Sequence, residues 1–506
     1  MDAISIRRTL TVLMIGAFIS ILNQTLINVA IPHLMNDFNV SATTVQWLST
    51  AYMLVNGVLI PITAFLIESF GTRVLFTSAM GLFTIGSIVC AIAPSFSIIL
   101  IGRIIQASGA GILMPLVMSV FLTVFPPERR GAAMGMMGIA MMFAPAIGPT
   151  LSGWIVENYT WRVLFFMVIP LGVLDILLAA RWLQNVSRLS YPKFDLTGTI
   201  FSTIGFGSLL YGFSSAGSDG WGSATVIATL SVGVIFIVLF IVRELTMEEP
   251  MLEFRVFKYD IFTISTIVGS ATTMTMFGAM LLLPIYLQNI RGFTPLESGL
   301  LLLPGALLMG VMSPISGIIF DRIGARPLAI VGLVITAVTT FEFSRLTTDT
   351  PYSHIMIIYT ARSFGMSLLM MSVQTEGLNQ LPRHLGSHGT AMSNTMRQIA
   401  GSIGTALLVT VMSNRATLHL ANYSNTITTA NEPVVQNVNQ LGQELAASAG
   451  VPPEAGQALA TQVLYGLASQ TSAINGINDA FIVATWIAVI GLVLSFFLRR
   501  AIPDRT

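Results

Sequence analysis

The chain has 506 residues, 54% of them hydrophobic and 9% charged, with a formal net charge of +1. Soluble domains carry about 25% charged residues, so this chain cannot face water over its whole surface, and lipid must be its main solvent. The near-zero charge offers no basic face for nucleic acid, and the single cysteine, Cys90, excludes an intrachain disulfide and a thiolate metal cluster.

A membrane span needs roughly 20 mostly apolar residues. Such stretches occur at 10–31, 46–67, 75–94, 98–121, 133–156, 162–183, 197–215, 224–243, 262–287, 297–319, 327–346, 353–379, 388–413 and 479–498. They predict an all-α integral membrane protein of about fourteen helices. The first stretch follows Arg7 and Arg8 and has the outline of a signal peptide. Asn23, Gln24 and Asn28 interrupt it and no small-residue cleavage site follows, so it reads as a retained first span.

An even number of spans puts both termini on one side. With the N-terminus inside, only Arg162, Arg291, Arg345 and Arg415 fall on outer segments, and Arg103, Arg362 and Arg397 fall within spans. The other 17 of the 24 basic residues, among them Arg188, Lys193 and Arg505, fall on inner segments. That bias predicts cytoplasmic N and C termini. One outer segment, about 414–478, is long, rich in Asn, Gln, Ser, Thr and Ala, and divided by Pro452 and Pro453. Its apolar spacing suits one or two amphipathic surface helices, forming either a solvated connector or a lid over the outer exit.

The chain repeats itself. The run AFLIESFGTR at 64–73 aligns with GIIFDRIGAR at 317–326 at an offset of 253, pairing Ala64 with Gly317, Glu68 with Asp321, Gly71 with Gly324 and Arg73 with Arg326. Each run joins two helices through a tight inner turn whose glycine permits positive φ. The acid is placed to face a helix N-terminus, and the arginine a carboxylate or lipid phosphate. Arg103 pairs with Arg362 at an offset of 259, and Ala133-Met134 with Ala391-Met392 at 258. These offsets span eight helices, so two helices are inserted between two six-helix halves. The predicted organisation is 1–190 for the first half, 191–258 for the inserted pair and linker, and 259–506 for the second half. Parallel halves of this kind hold substrate between them near the midplane.

Residues 317–326, with Gly317, Asp321, Arg322, Gly324 and Arg326, resemble the loop signature G-x-x-x-D-R-x-G-x-R of the major facilitator superfamily. The copy bearing Glu68, Gly71 and Arg73 is a weaker version. Leu100–Arg103 to Gly111 resembles the helix-4 motif of proton-linked members. Gly138 through Gly148 and Pro149 to Gly153 resembles the helix-5 motif of antiporters. LNQTLINVAIP at 22–32 resembles the first helix of fourteen-helix drug:proton antiporters of EmrB/QacA type, with the nearest likeness to lincomycin exporters of LmrB type. The resemblance covers essentially the whole chain. It implies the major facilitator fold in a bacterial cytoplasmic membrane. Many such relatives carry an aspartate where this chain has Asn23, and an amide cannot titrate, so another carboxylate must carry any exchanged proton.

Ionisable groups at membrane depth are functional candidates. Arg103 and Asn23 both lie roughly 8–14 Å inside the outer end of their helices; Arg103 is expected to reach Asn23, Gln24 or free carbonyls, for proton coupling or as a clamp between helices. Glu376 and Arg397 lie at comparable depth, and the resemblance puts the helix of Glu376 at the cavity. Their expected ion pair makes Glu376 the first proton-carrier candidate, against a water-exposed position near the inner mouth. Asp175, at mid-helix without an evident partner, is second because the resemblance makes its helix peripheral. Glu342 faces Arg345 at i+3 or Arg362, more simply as a surface pair. Gln24 and Asn28 share a helix face and, with Asn23, offer hydrogen bonds to substrate or to other helices. Met141 and Met276 stand for methionine-rich stretches on helices 5 and 9 that suit an adaptable apolar cavity or ordinary packing. Gly148, Pro149 and Gly153 let helix 5 slide and bend.

No Walker-type phosphate loop, metal-ligand set or nucleophile–base constellation is present, so no enzyme, ATP-driven or cofactor-dependent function is expected. The expected activity is proton-gradient-driven export of hydrophobic or amphiphilic small molecules, with protons and membrane lipids as partners. The alternatives are a lipid or glycolipid translocase of the same fold and a membrane receptor or scaffold without turnover.

Overall fold

The structure, a computed structural model, describes residues 3–40, 42–126, 129–186, 195–248, 250–426 and 432–500. Arg188, Lys193 and Arg505, used in the charge count, lie outside them. The first half comprises α1 (Ala3–Phe38), α2 (Ala42–Ala91), α3 (Phe96–Val124), α4 (Arg130–Asn158) and α5 (Arg162–Trp182). The inserted pair is α6 (Leu196–Asp219) and α7 (Ala224–Thr246). The second half holds α8 (Asp260–Pro284), α9 (Pro295–Ile323), α10 (Ala325–Glu342), α11 (Tyr352–Asn379), α12 (Gly386–Thr426), α13 (Glu432–Ala449) and α14 (Pro453–Ser495). Helices suit lipid because each closes its own backbone hydrogen bonds.

Two of the predicted spans are one interrupted helix. α2 runs for 50 residues and breaks only at Gly71, where φ is 74°. Before the break α2 runs parallel to α3, with Leu48 beside Arg103 and Asn56 beside Gly111. After it the direction reverses, with Phe83 beside Gly109 and Gly86 beside Gln106. Gly324, with φ of 82°, makes the equivalent turn between α9 and α10. A side chain would strain both turns. With α2 counted as two spans, α13 as none and every other helix as one, the described residues offer fourteen candidate crossings. α12, expected as the span 388–413, is more polar than the other spans, and α2, α3, α6, α8 and α14 enclose it.

The 414–478 segment differs from the expectation. α12 continues past 413 to Thr426, and the last helix begins at Pro453 rather than 479. α12 and α14 lie antiparallel, tied where Asp479 accepts from Arg415 Nε at 2.6 Å and lies 2.9 Å from His419 Nε2. At about 1.5 Å per residue each helix is about 60 Å long, twice the hydrocarbon thickness. Their far ends therefore stand clear of the lipid with α13 packed against α14.

The inserted hairpin bridges the halves. Tyr211 of α6 stacks on Trp47 of α2 at 5.6 Å, and Trp221 Nε1, just beyond α6, donates to Thr410 of α12 at 2.8 Å. The hairpin is closed by Arg243, which donates twice to Asp195 at 2.7 Å. These bonds hold the Asp195 carboxyl, which lies just outside the span, below its usual range. A depressed carboxylate stabilises the fold above its unfolded pKa and loses that contribution as pH falls through the folded value. Arg243→Met should therefore lower stability at pH 7 by about 1 kcal/mol, roughly 2–4 °C. The difference from wild type should vanish in acid below the carboxylate range, as a thermal-unfolding series across pH would record.

Candidate functional site

Two contacts of the same design join the halves at the end of the bundle that carries the repeated turns. Asp321, in the last turn of α9, accepts from the backbone amides of Gly131 and Ala132 at 2.9 and 3.0 Å. These are unpaired donors at the N-terminus of α4, where an anion is favoured. Glu68 of α2 accepts from Ser387 Oγ at 2.7 Å and lies 3.4 Å from His388 Nε2, in the first turn of α12. The repeat aligns Glu68 with Asp321 and the start of α12 with the start of α4, so this is one latch made twice. α4 and α9 approach closely there: a Cβ on Gly317 would meet the Gly131 carbonyl. Arg130 of α4 adds a bond to Asn379 of α11 at 2.9 Å.

The repeated arginine does not meet an acid. Arg73 donates to the Ala180 carbonyl near the C-terminus of α5, and its backbone amide donates to Asn185 at 3.0 Å. It thereby satisfies a helix end rather than a carboxylate or phosphate. Arg326 is exposed in the first turn of α10, and Arg322 is exposed at the end of α9, its carbonyl accepting from Arg500 at 3.4 Å.

Arg103 does reach Asn23. It is 1% exposed, donates to Asn23 Oδ1 at 2.9 Å and to Gln106 Oε1 at 2.7 Å, and lies 4.1 Å from the centre of the Tyr52 ring. Gln106 passes the network to Ser87 at 2.7 Å. The charge is thus held by neutral acceptors and an aromatic face. Arg362 is treated alike, with Thr340 Oγ1 at 3.2 Å and the Thr275 carbonyl at 2.8 Å. Glu342 accordingly pairs with Arg345, at 3.5 Å, Arg345 being exposed and Glu342 half-buried. Gln24 is half-buried on α1, and the side chain of Asn28 lies outside the described residues.

The expected Glu376–Arg397 pair is replaced by two other arrangements. Arg397 Nη1 donates to Gln374 Oε1 at 2.7 Å. Glu376 is buried and accepts from the Ala325 amide at 3.0 Å, capping α10 behind the Gly324 turn. Residues two apart on a helix point about 200° apart, so Gln374 and Glu376 serve different neighbours. Gln374 also reaches across the seam to Met118 Sδ of α3, at 3.2 Å, as does Asn394 at 3.7 Å. A small cavity between α8, α11 and α12 is lined by Arg397, Gln374, Ser265, Thr266 and Ser393.

Asp175 is fully buried, and neither carboxylate oxygen has a hydrogen-bond partner. It lies against Gly16 of α1 beside the Phe76 ring of α2. An ionised carboxylate without donor or cation would bear its whole desolvation cost. α1 is also the helix of Asn23, so Asp175 and the Arg103 cluster pack on one helix, about two turns apart. Met141 and Met276 are half-buried; Gly148 abuts Thr25 of α1, Pro149 is half-buried, and Gly153 faces Leu296 of α9.

Residues 13–405 match the model of the Major Facilitator Superfamily. The chain is 55% identical to an uncharacterised MFS-type transporter, YhcA, of Bacillus subtilis, over 98% of this chain and 93% of that one. It is 42% identical to the lincomycin resistance protein LmrB of Bacillus subtilis, over 97% and 95%. The proton:xylose symporter XylE, at 13% identity, superposes with a TM-score of 0.63 over 99% of this chain and 97% of that one, a likeness of fold.

Proposed function

This chain belongs to the major facilitator superfamily, and on that premise we propose that it exports hydrophobic or amphiphilic small molecules across the bacterial cytoplasmic membrane by proton-coupled antiport. The latched end faces the cytoplasm, as the charge bias favours, so the conformation described here is closed inward. The halves rock about the central seam, and release of the latches admits substrate from the inside or from the inner leaflet. The proton gradient is the energy source and no cofactor takes part.

The paired latches carry this reading. They hold the halves by bonds at helix ends, groups that water can reach once the gate opens, so opening costs a few kcal/mol rather than the loss of a packed core. Similarity to a lincomycin resistance protein supports a drug-like cargo. Among the candidate carriers Asp175 fits proton exchange best, because Glu376 already caps α10 as an acceptor.

The reading is tested with the full chain in proteoliposomes under an imposed pH gradient, using neutral, cationic and anionic dansyl amphiphiles. Gradient-dependent accumulation of at least one, with matching proton movement, is the expected result. Accumulation of none would refute export. Gradient-independent flipping of a fluorescent phospholipid would establish the translocase instead.

A further inference from the structure

We propose that the cavity between α8, α11 and α12 is an anion subsite: Arg397 and the surrounding hydroxyls receive the carboxylate or sulfonate head of an amphiphilic substrate. This deepens the export reading and rests on it.

Arg397 is the one ionisable group in the described wall of that cavity. A guanidinium has five N–H donors, and a single hydrogen bond, to Gln374, is made within the protein. Gln374 orients the group while leaving its fork open to the cavity. The same wall carries the hydroxyls of Ser265, Thr266, Thr272 and Ser393. Ser265 is 4% exposed and its hydroxyl has no partner. A buried hydroxyl without a partner and a guanidinium with one of its five donors engaged, both in one wall, are two donor groups available to a single acceptor. Nothing in the wall would neutralise a cationic head.

The free space is small, with room for about one water molecule. One oxygen of an acid head fills that space, so the rest of the substrate lies outside it. The cavity adjoins the seam, because Gln374 touches Met118 of the other half. An apolar tail would therefore lie between the halves along Met118 and Met370, while its head engages Arg397 in the second half. Binding there competes for Gln374, the residue that ties Met118 to Arg397, and so links occupancy to the seam.

The experiment uses dansyl probes that differ only in the head: a carboxylate, an uncharged amide and a trimethylammonium. Equilibrium binding to the purified full chain is read by tryptophan-to-dansyl energy transfer, and accumulation by the proteoliposome assay. The wild type should bind the carboxylate on the order of tenfold or more tighter than the trimethylammonium. Arg397→Gln should erase that preference while leaving the amide within about twofold, which also reports that the variant is folded. Arg397→Lys should keep part of the preference, and Ser265→Ala should weaken the carboxylate a few-fold without touching the amide. Equal or tighter binding of the cation, or an anion preference unchanged in Arg397→Gln, overturns the proposal. Arg397-dependent anion binding without gradient-driven uptake of any probe would leave the subsite standing and sink the export reading. Gradient-driven uptake of the amide and the cation, unaffected by Arg397→Gln and without anion preference, would do the reverse.

Discussion

Asp175→Asn should give a folded protein that binds its amphiphile normally and no longer concentrates it. The carboxyl group is enclosed by Gly16 and Phe76 with no donor for either oxygen, so the amide fits the same slot. Neither form gains a partner, and the stability change should stay below about 1 kcal/mol. Coupling is another matter. One proton moving down a gradient of one pH unit supplies about 1.4 kcal/mol, enough for a tenfold concentration ratio of cargo. Accumulation in Asp175→Asn proteoliposomes should collapse from about tenfold to about unity under that gradient, while equilibrium binding changes by less than about twofold. Persistence of the tenfold ratio would remove Asp175 from the mechanism. Glu376→Gln should behave differently, because its amide would present a donor to the Ala325 amide or lose the charge that caps α10. It should cost about 1–2 kcal/mol of stability and spare the stoichiometry.

The second large effect concerns the gate. Asp321→Ala removes the acceptor for two amides of α4, and Glu68→Ala removes the equivalent acceptor for α12. Each latch is worth about 1–3 kcal/mol between closed and open forms, since water replaces it on opening. The double variant should therefore raise the open population about five- to 150-fold per latch lost, up to saturation. Met134 lies on α4 one turn inside the Asp321 latch and is fully buried. With the buried Cys90 replaced by serine, a cysteine at position 134 reports this opening through its rate of labelling by a membrane-impermeant maleimide. The rate should rise at least about fivefold in the double variant. An unchanged rate would show that the α4–α9 packing, not the latches, holds the gate.

Much of this architecture is legible in residue order because lipid simplifies the problem. The helices follow from hydropathy, and the turns at Gly71 and Gly324 follow from one repeated pattern. The Arg103–Asn23 contact follows from equal depth, since a buried cation seeks the few acceptors at its level. Depth says nothing of azimuth, however. Glu376 and Arg397 share a level and still face different neighbours, and only the packing of α10 against α11 decides which. Asp175 was recognisable as buried, but the absence of any donor around it depends on three helices meeting. Amphipathic helix was readable in 414–478, but not that its outer parts continue α12 and α14, because a helix in water has no long apolar run. For the contact of Glu68 with Ser387 and His388 the repeat held the signal, since it sets the start of α12 opposite Glu68 as the start of α4 stands opposite Asp321.

α12 begins at one latch, at Gly386, crosses the membrane without a proline, and ends at Thr426, clear of the lipid and tied to α14. It is a lever with its short arm at the gate. A tilt of about 10° about that latch sweeps the far tip through about 10 Å. On the proposed cycle, movement at the latched end would therefore be displayed on the opposite face of the membrane. On the proposed orientation and rocking cycle, a ligand that clamps the hairpin of α13 and α14 from outside the cell would stall transport without entering the substrate path.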